Sequence, residues 1–136
     1  MSKKFWIAFI VIFVAFSLME FIVNMWLMSG VFQQTAALWR PMGQMKIWIF
    51  YVDYLFLAFF LTLIFKKWYT GKGIVEGIQF GVYTGFLIAL PAAYGMYASM
   101  PVPYYFGLQW FIYGFIEYVI CGILLSLIFG KKAAEA

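Results

Sequence analysis

Glu20, Asp53, Glu76 and Glu117 are carboxyl side chains set in runs of Phe, Ile, Leu, Val and Tyr, and only Glu135 lies in plainly polar surroundings. A carboxylate at the centre of a membrane helix costs roughly 3 kcal/mol even on lenient insertion scales, so a chain that keeps one must satisfy it. Ser17, Glu20 and Asn24 share one helical face at i, i+3 and i+7. Tyr113 and Glu117 are one turn apart, and Gln109 is a further turn outward. At about 1.5 Å per residue, Glu20 and Asp53 fall at similar depths and Glu117 lies nearer the midplane. Helices one, two and four are therefore expected to converge on a polar cluster of Glu20, Asn24, Asp53, Gln109, Tyr113 and Glu117. Glu76 differs. It opens a helix just after Lys72 and Gly73, where the positive end of the helix dipole suits a carboxylate, and its role reads as structural.

No Lys or Arg interrupts any of the apolar stretches, and the chain has no histidine. Buried carboxyls pair with a cation, bind a metal or stay protonated. Four arrangements follow. The acids are protonated and hydrogen-bonded to each other, to Asn24 or to tyrosines; Arg40 folds down from the loop onto Glu20 or Asp53; the cluster is a proton or cation pathway; or a partner subunit supplies the positive charge. Carboxylates at loosely matched depths define no metal geometry, so no metal is expected. The missing histidine removes haem ligation by His, the Glu-x-x-His di-iron pattern and the Ser-His-Asp triad. No nucleophile is paired with a base and no cofactor motif is present, so the chain reads as non-catalytic.

These residues need helices to carry them. The chain has 136 residues, 67% apolar and 10% charged, against roughly 25% charged in soluble domains. That deficit makes it an integral membrane protein of one domain. Four spans emerge, at about 5–28, 47–65, 74–100 and 104–129, each near the ~20 residues that cross ~30 Å of hydrocarbon. The fold class is all-α, a four-helix transmembrane bundle. The first span follows Lys3 and Lys4 like a signal peptide, but it is long and has no small-x-small cleavage site, so it reads as a retained helix.

Basic residues orient the bundle. Lys3, Lys4, Lys66, Lys67, Lys72, Lys131 and Lys132 flank one side; Arg40 and Lys46 flank the other. The positive-inside rule places both termini in the cytoplasm, N-in and C-in. These cations lie in short flanks rather than along a stripe, so no nucleic-acid partner is expected. Trp6 and Trp68 fall at the inner boundary, and Trp26, Trp48 and Trp110 near the outer one, as an aromatic belt. Cys121 is alone and mid-span, so it forms no intrachain disulfide.

Small residues recur at every fourth position of the third span: Gly73, Gly77, Gly81, Gly85, Ala89 and Ala93. Such a stripe lets helices approach backbone to backbone. It serves packing within the monomer or a seam with a second copy or partner subunit. Pro91 lies off the stripe and is expected to kink the outer half of this helix. The loop from Ser29 to Lys46 is the longest connection. Thr35 is expected to cap a short helix that Pro41 stops, lying on the outer surface with Trp39 and Arg40 as a plain connector or a docking element.

The run Gln34-Thr35-Ala36-Ala37-Leu38-Trp39-Arg40-Pro41, with the glycine-spaced third span, resembles a family of small uncharacterised bacterial four-helix integral membrane proteins. Where that family carries a His-Gly pair near the end of the first helix, this chain has Asn24 followed by Met25. The resemblance implies the architecture and a bacterial inner-membrane location, and no activity, cofactor or catalytic residue.

A fainter echo lies within the chain. Phe16-Ser-Leu-Met-Glu20-Phe-Ile-Val matches Tyr113-Gly-Phe-Ile-Glu117-Tyr-Val-Ile class for class, as an inverted pair of transporter type would. Two functions follow. The first is an accessory or scaffold subunit of a larger membrane complex, with the bilayer and partner subunits or further copies as its neighbours. The alternative is a small proton- or cation-coupled transporter or channel using the intramembrane acids.

Overall fold

The computed structural model describes residues 2–130; Lys131, Lys132 and Glu135 lie outside the described residues. Four apolar helices are long enough to cross a membrane: Lys3–Leu27, Ile47–Trp68, Ile74–Ser99 and Tyr104–Phe129. No strand occurs among the described residues. The fold is an all-α four-helix bundle. Its two ends are named here by what they carry. The termini side holds residue 2, the 69–73 turn and Gly130. The loop side holds the 28–46 connection and the 100–103 turn.

The helix ends have local causes. The Ser2 hydroxyl accepts a hydrogen bond from the Phe5 amide at 3.3 Å, so the first helix starts two residues earlier than expected. The second runs on through Lys66, Lys67 and Trp68. Its lysines complement the negative helix end while their stems remain along apolar surface. The turn that follows uses Gly71 and Gly73 at φ 90° and 88°, where a side chain would be strained. Gly73 thus serves this turn rather than heading the small-residue stripe.

Helices three and four form the tightest pair. A Cβ added to Gly81 would lie 2.7 Å from the Tyr118 carbonyl oxygen, and one on Gly77 would meet the Gly122 carbonyl and Ser126. Gly85 faces the Phe115 ring, Ala89 lies against Gly114, and Gly107 lies beside Tyr97 and Ala93. The stripe on helix three is therefore met by Gly107, Gly114, Gly122 and Ser126 on helix four. Of the two uses read from the sequence, it is the seam within the monomer.

The remaining helices close the bundle. The first buries Phe5, Ala8, Ile12 and Phe16, and the second buries Ala58, Leu61, Thr62 and Phe65. Toward the termini side, Phe65 packs on Phe80 at 5.1 Å, Tyr69 at 5.3 Å and Phe129 at 5.8 Å between ring centroids. Toward the loop side, a smaller cluster joins Met28, Val31, Val102 and Phe106. Leu87, Phe56 and Leu127 are more than 60% exposed, as side chains that face lipid tails must be.

Two helices are not regular. The first ends in a π-turn over Val23–Leu27, and the third is broken by another over Gly85–Ala89. The second lies just before Pro91, which has no N–H to bond a preceding carbonyl and whose ring crowds the turn before it. The wider turn carries the chain past that obstacle.

The loop corrects one expectation. The α-helical part of the loop runs Ser29–Gln34, before Thr35, because the first span continues almost directly into it through Met28; after Thr35 there is only a single 3-10 turn, Ala36–Leu38, which ends before Pro41 and which the Thr35 side chain does not cap. Thr35 follows its end, donating from its hydroxyl to the Val31 carbonyl at 2.8 Å and accepting from the Trp39 indole at 2.9 Å. Trp39 then stacks on Phe106 at 5.7 Å. The Tyr105 hydroxyl donates to the Gln34 side-chain oxygen. The loop is pinned to helix four. Arg40 and Pro41 are exposed.

Candidate functional site

Between the two packed clusters lies a cavity of about 300 Å³ to which all four spans contribute. Phe16 and Glu20 come from the first, Asp53 and Tyr54 from the second, Ile88 and Ala89 from the π-turn of the third, and Glu117 from the fourth. Glu20, Asp53 and Glu117 thus line one space, as their depths suggested.

Glu117 is the most constrained of the three. It is only 3% exposed, and the one polar group that reaches it is the Glu20 carboxyl, placed so that a proton on one carboxyl is donated to the other; no further donor meets it among the described residues. Buried polar groups are nearly always satisfied, and leaving one unmade costs about 1–3 kcal/mol. Glu20 is better held. Its Oε2 accepts from the Asn24 amide at 3.2 Å and from the Tyr54 hydroxyl at 3.4 Å. The Asn24 bond spans i to i+4 into the first π-turn. Glu20 and Glu117 are near enough for the charge on one to bear on the other. Phe16 and Tyr118, from the same two helices, meet at 5.8 Å between ring centroids. The two halves of the internal echo therefore bring their glutamates to a common space.

Asp53 lines the cavity yet is exposed, which puts it at the rim. The geometry leaves this side open: segment 90–99 packs on helix four, while helix two packs chiefly on helix one. Helices two and three meet through rings near the termini side, Trp68 on Phe80 and Tyr83.

Two expected members stand apart. Tyr113 packs against the loop-side cluster and does not line the cavity. Gln109 is also outside its wall, with a buried, unpartnered Oε1. Arg40 does not reach the acids; it lines a separate hollow with Trp39, Lys46 and Phe50. Trp110, read as an interfacial anchor, instead lines the cavity and packs on Phe106 at 5.4 Å, whereas Trp26 and Trp48 are 72% and 67% exposed.

The sequence reading missed the contribution of helix three and the aromatic wall of Phe16, Tyr54, Trp110 and Tyr118. The available signal was adjacency. Tyr54 follows Asp53, Tyr118 follows Glu117, and Phe16 lies one turn before Glu20.

Glu76 is elsewhere and fully engaged. Its carboxylate accepts from the Thr70 amide at 2.8 and 2.9 Å, the Thr70 hydroxyl at 2.6 Å and the Gly71 amide at 3.1 Å. It ties the 69–73 turn to the third helix, the structural role its position indicated.

The fold and site define a small polytopic membrane protein with an acidic chamber in its core. No family model, curated protein or solved structure matches the chain.

Proposed function

We propose that the protein is a small non-catalytic membrane transporter that takes a proton or a monovalent cation onto its core carboxyls from the loop side. The observation that carries this reading is the Glu20–Glu117 pair, two carboxyls within hydrogen-bonding reach of each other in a hollow shared with Asp53, where a single proton can be held between them. A purely structural acid resembles Glu76, with its oxygens consumed by donors. Glu117 is built the other way: it meets no amide or hydroxyl donor, only the carboxyl of Glu20, so the pair depends on a proton it can gain or lose. The π-turn of the third span supplies Ile88 and Ala89 to the chamber wall, and that of the first carries Asn24, which donates to Glu20; such turns recur at functional sites because they re-aim backbone and side chains.

The lysine asymmetry of the sequence supports termini in the cytoplasm, with the chamber nearer the outer leaflet, and the bacterial inner membrane is carried by the family resemblance alone. Kinship with the small bacterial four-helix proteins rests on the octet from Gln34 to Pro41 and belongs to the same proposal. The test is flux. Purified protein in liposomes, under an imposed potential and with a pH-sensitive dye inside, is expected to move protons, and Glu117→Gln to abolish the movement without loss of folded protein. Absence of flux in the wild-type protein under both proton and sodium gradients overturns the reading.

A second reading has its own observation. Asp53 is exposed within a membrane span. A carboxylate on that flank calls for a covering neighbour, a partner subunit with a cation or a further copy of this chain. Under that reading the protein is an accessory subunit of a larger complex. Its native mass in mild detergent, with co-purifying chains identified, tests it; a bare monomer removes it.

A further inference from the structure

We propose that the hollow beside the loop-side connection binds the phosphate group of an anionic phospholipid between Arg40 and Lys46, with Trp39, Ile49 and Phe50 as its apolar wall. The site is separate from the acidic chamber and does not depend on the transport reading.

The charges select an anion. The loop-side segments 28–46 and 100–103 carry two cations, Arg40 and Lys46, and no acid. Both cations line one hollow of about 400 Å³, together with Trp39, Met45, Ile49 and Phe50. The 3-10 turn Met42–Gln44 lies between them, with the Gln44 amide donating to the Pro41 carbonyl at 2.8 Å. No acid lines the hollow, and neither cation is engaged in an ion pair among the described residues. Asp53 lies two turns deeper along the second helix, about 10 Å by the helical rise, and is not in the wall.

The position and the wall select a lipid over a free phosphate. Lys46 immediately precedes the span Ile47–Trp68, so the hollow lies where that span leaves the hydrocarbon. Its neighbour Trp48 is 67% exposed, as an interfacial ring is. Ile49 and Phe50, one turn further in, are exposed apolar surface on which acyl chains can lie. A free phosphate gains nothing from that surface. A phospholipid uses both parts, its phosphate on the cations and its chains along the helix. A zwitterionic headgroup would bring its own ammonium to two cations, whereas an anionic one answers them.

The hollow is held in shape before anything binds. The Trp39 indole donates to the Thr35 hydroxyl at 2.9 Å, and its ring stacks on Phe106 at 5.7 Å. Arg40 therefore extends from a fixed neighbour, and its guanidinium offers paired donors that match two phosphate oxygens. Lys46 adds a second charge from the other end of the loop. The helix that it precedes has no side-chain cap and no acid in its first turn, so its positive end adds to the field of the two cations.

The experiment is native mass spectrometry of the full chain in a non-ionic detergent, titrated with dioleoylphosphatidylglycerol or with dioleoylphosphatidylcholine. The first phosphatidylglycerol is expected to bind at least about tenfold more tightly than the first phosphatidylcholine. Arg40→Gln combined with Lys46→Gln is expected to bring the two lipids within about threefold of each other. Both residues are exposed, so their neutral replacements leave the fold in place. Lys66→Gln combined with Lys67→Gln, the same loss of charge on the termini side, is expected to leave the preference intact. Arg40→Lys, which keeps the charge, is expected to keep most of it. Equal binding of the two lipids by the wild-type protein overturns the proposal. So does a preference that the loop-side pair of substitutions leaves unchanged, or that the termini-side pair removes equally. Displacement of the bound phosphatidylglycerol by excess inorganic phosphate would make the hollow a free-phosphate site and overturn the lipid assignment.

Discussion

Glu76 and Glu117 are buried to a similar degree, at 5% and 3% exposure, yet they are opposite kinds of residue. The Thr70 and Gly71 donors converge on Glu76, and removing its carboxylate leaves amide groups of the 69–73 turn without an acceptor. Glu76→Ala is expected to destabilise the protein by about 2 kcal/mol, since orphaned donors lose their bonds and keep their desolvation cost. Glu117→Gln is expected to leave stability unchanged or raise it by about 1 kcal/mol, because a buried carboxyl beside a second one is exchanged for a neutral amide of the same shape that can still donate to Glu20. Denaturant titration of both variants in one detergent checks the pair of signs. A large loss in Glu117→Gln would mean that the carboxyl is a structural pin after all. The sequence showed which acids sit in hydrocarbon. It did not show which have donors, because the Thr70 and Gly71 donors to Glu76 come from a turn whose glycines carry no signal of what they surround.

At the scale of elements, the third and fourth helices decide the architecture. Gly77 and Gly81 allow helix three to lie on the backbone of helix four, with the Tyr118 and Gly122 carbonyls in the space their side chains would fill. Lipid tails are as apolar as leucine, so this approach, and the dispersion it permits, is what holds the pair. Gly81→Leu is expected to cost at least about 1–3 kcal/mol by overpacking, because its obstacle is backbone and cannot rotate away. Gly95→Leu, on the same helix with nothing within 4 Å of its added Cβ, is expected to be silent. Thermal stability of the two variants, followed as monodisperse protein after heating, tests the contrast. If both are tolerated, the helices separate more easily than the geometry implies. The stripe itself was legible from its four-residue period. Its partner was harder to see, because Gly107, Gly114, Gly122 and Ser126 are unevenly spaced among large residues. Pro91 announced a kink, but nothing in one sequence distinguishes a bend from the π-turn that brings Ile88 and Ala89 to the chamber wall.

For the whole molecule, the number and approximate limits of the spans followed from hydropathy, because a bilayer enforces length and apolarity on any helix that crosses it. The convergence of Glu20, Asp53 and Glu117 followed from depth alone. The aromatic wall did not, since Tyr54, Trp110 and Tyr118 are no different in type from the many rings that face lipid. Orientation is the remaining whole-molecule property. Lys3, Lys4, Lys66, Lys67 and Lys72 stand on the termini side against Arg40 and Lys46 on the loop side. Short loops obey such a bias, and long ones escape it; the connection at 69–73 is short enough to be governed by it. Cysteine labelling reads the outcome directly, because the native Cys121 is fully buried and provides a quiet background. Gly43→Cys, in an open stretch of the loop-side connection, is expected to react with a membrane-impermeant maleimide in intact cells. Lys72→Cys, exposed in the termini-side turn, is expected to react only after the membrane is permeabilised. The reverse pattern would turn the chamber toward the cytoplasm, and a cation that enters past Asp53 would then be drawn from inside the cell rather than from outside.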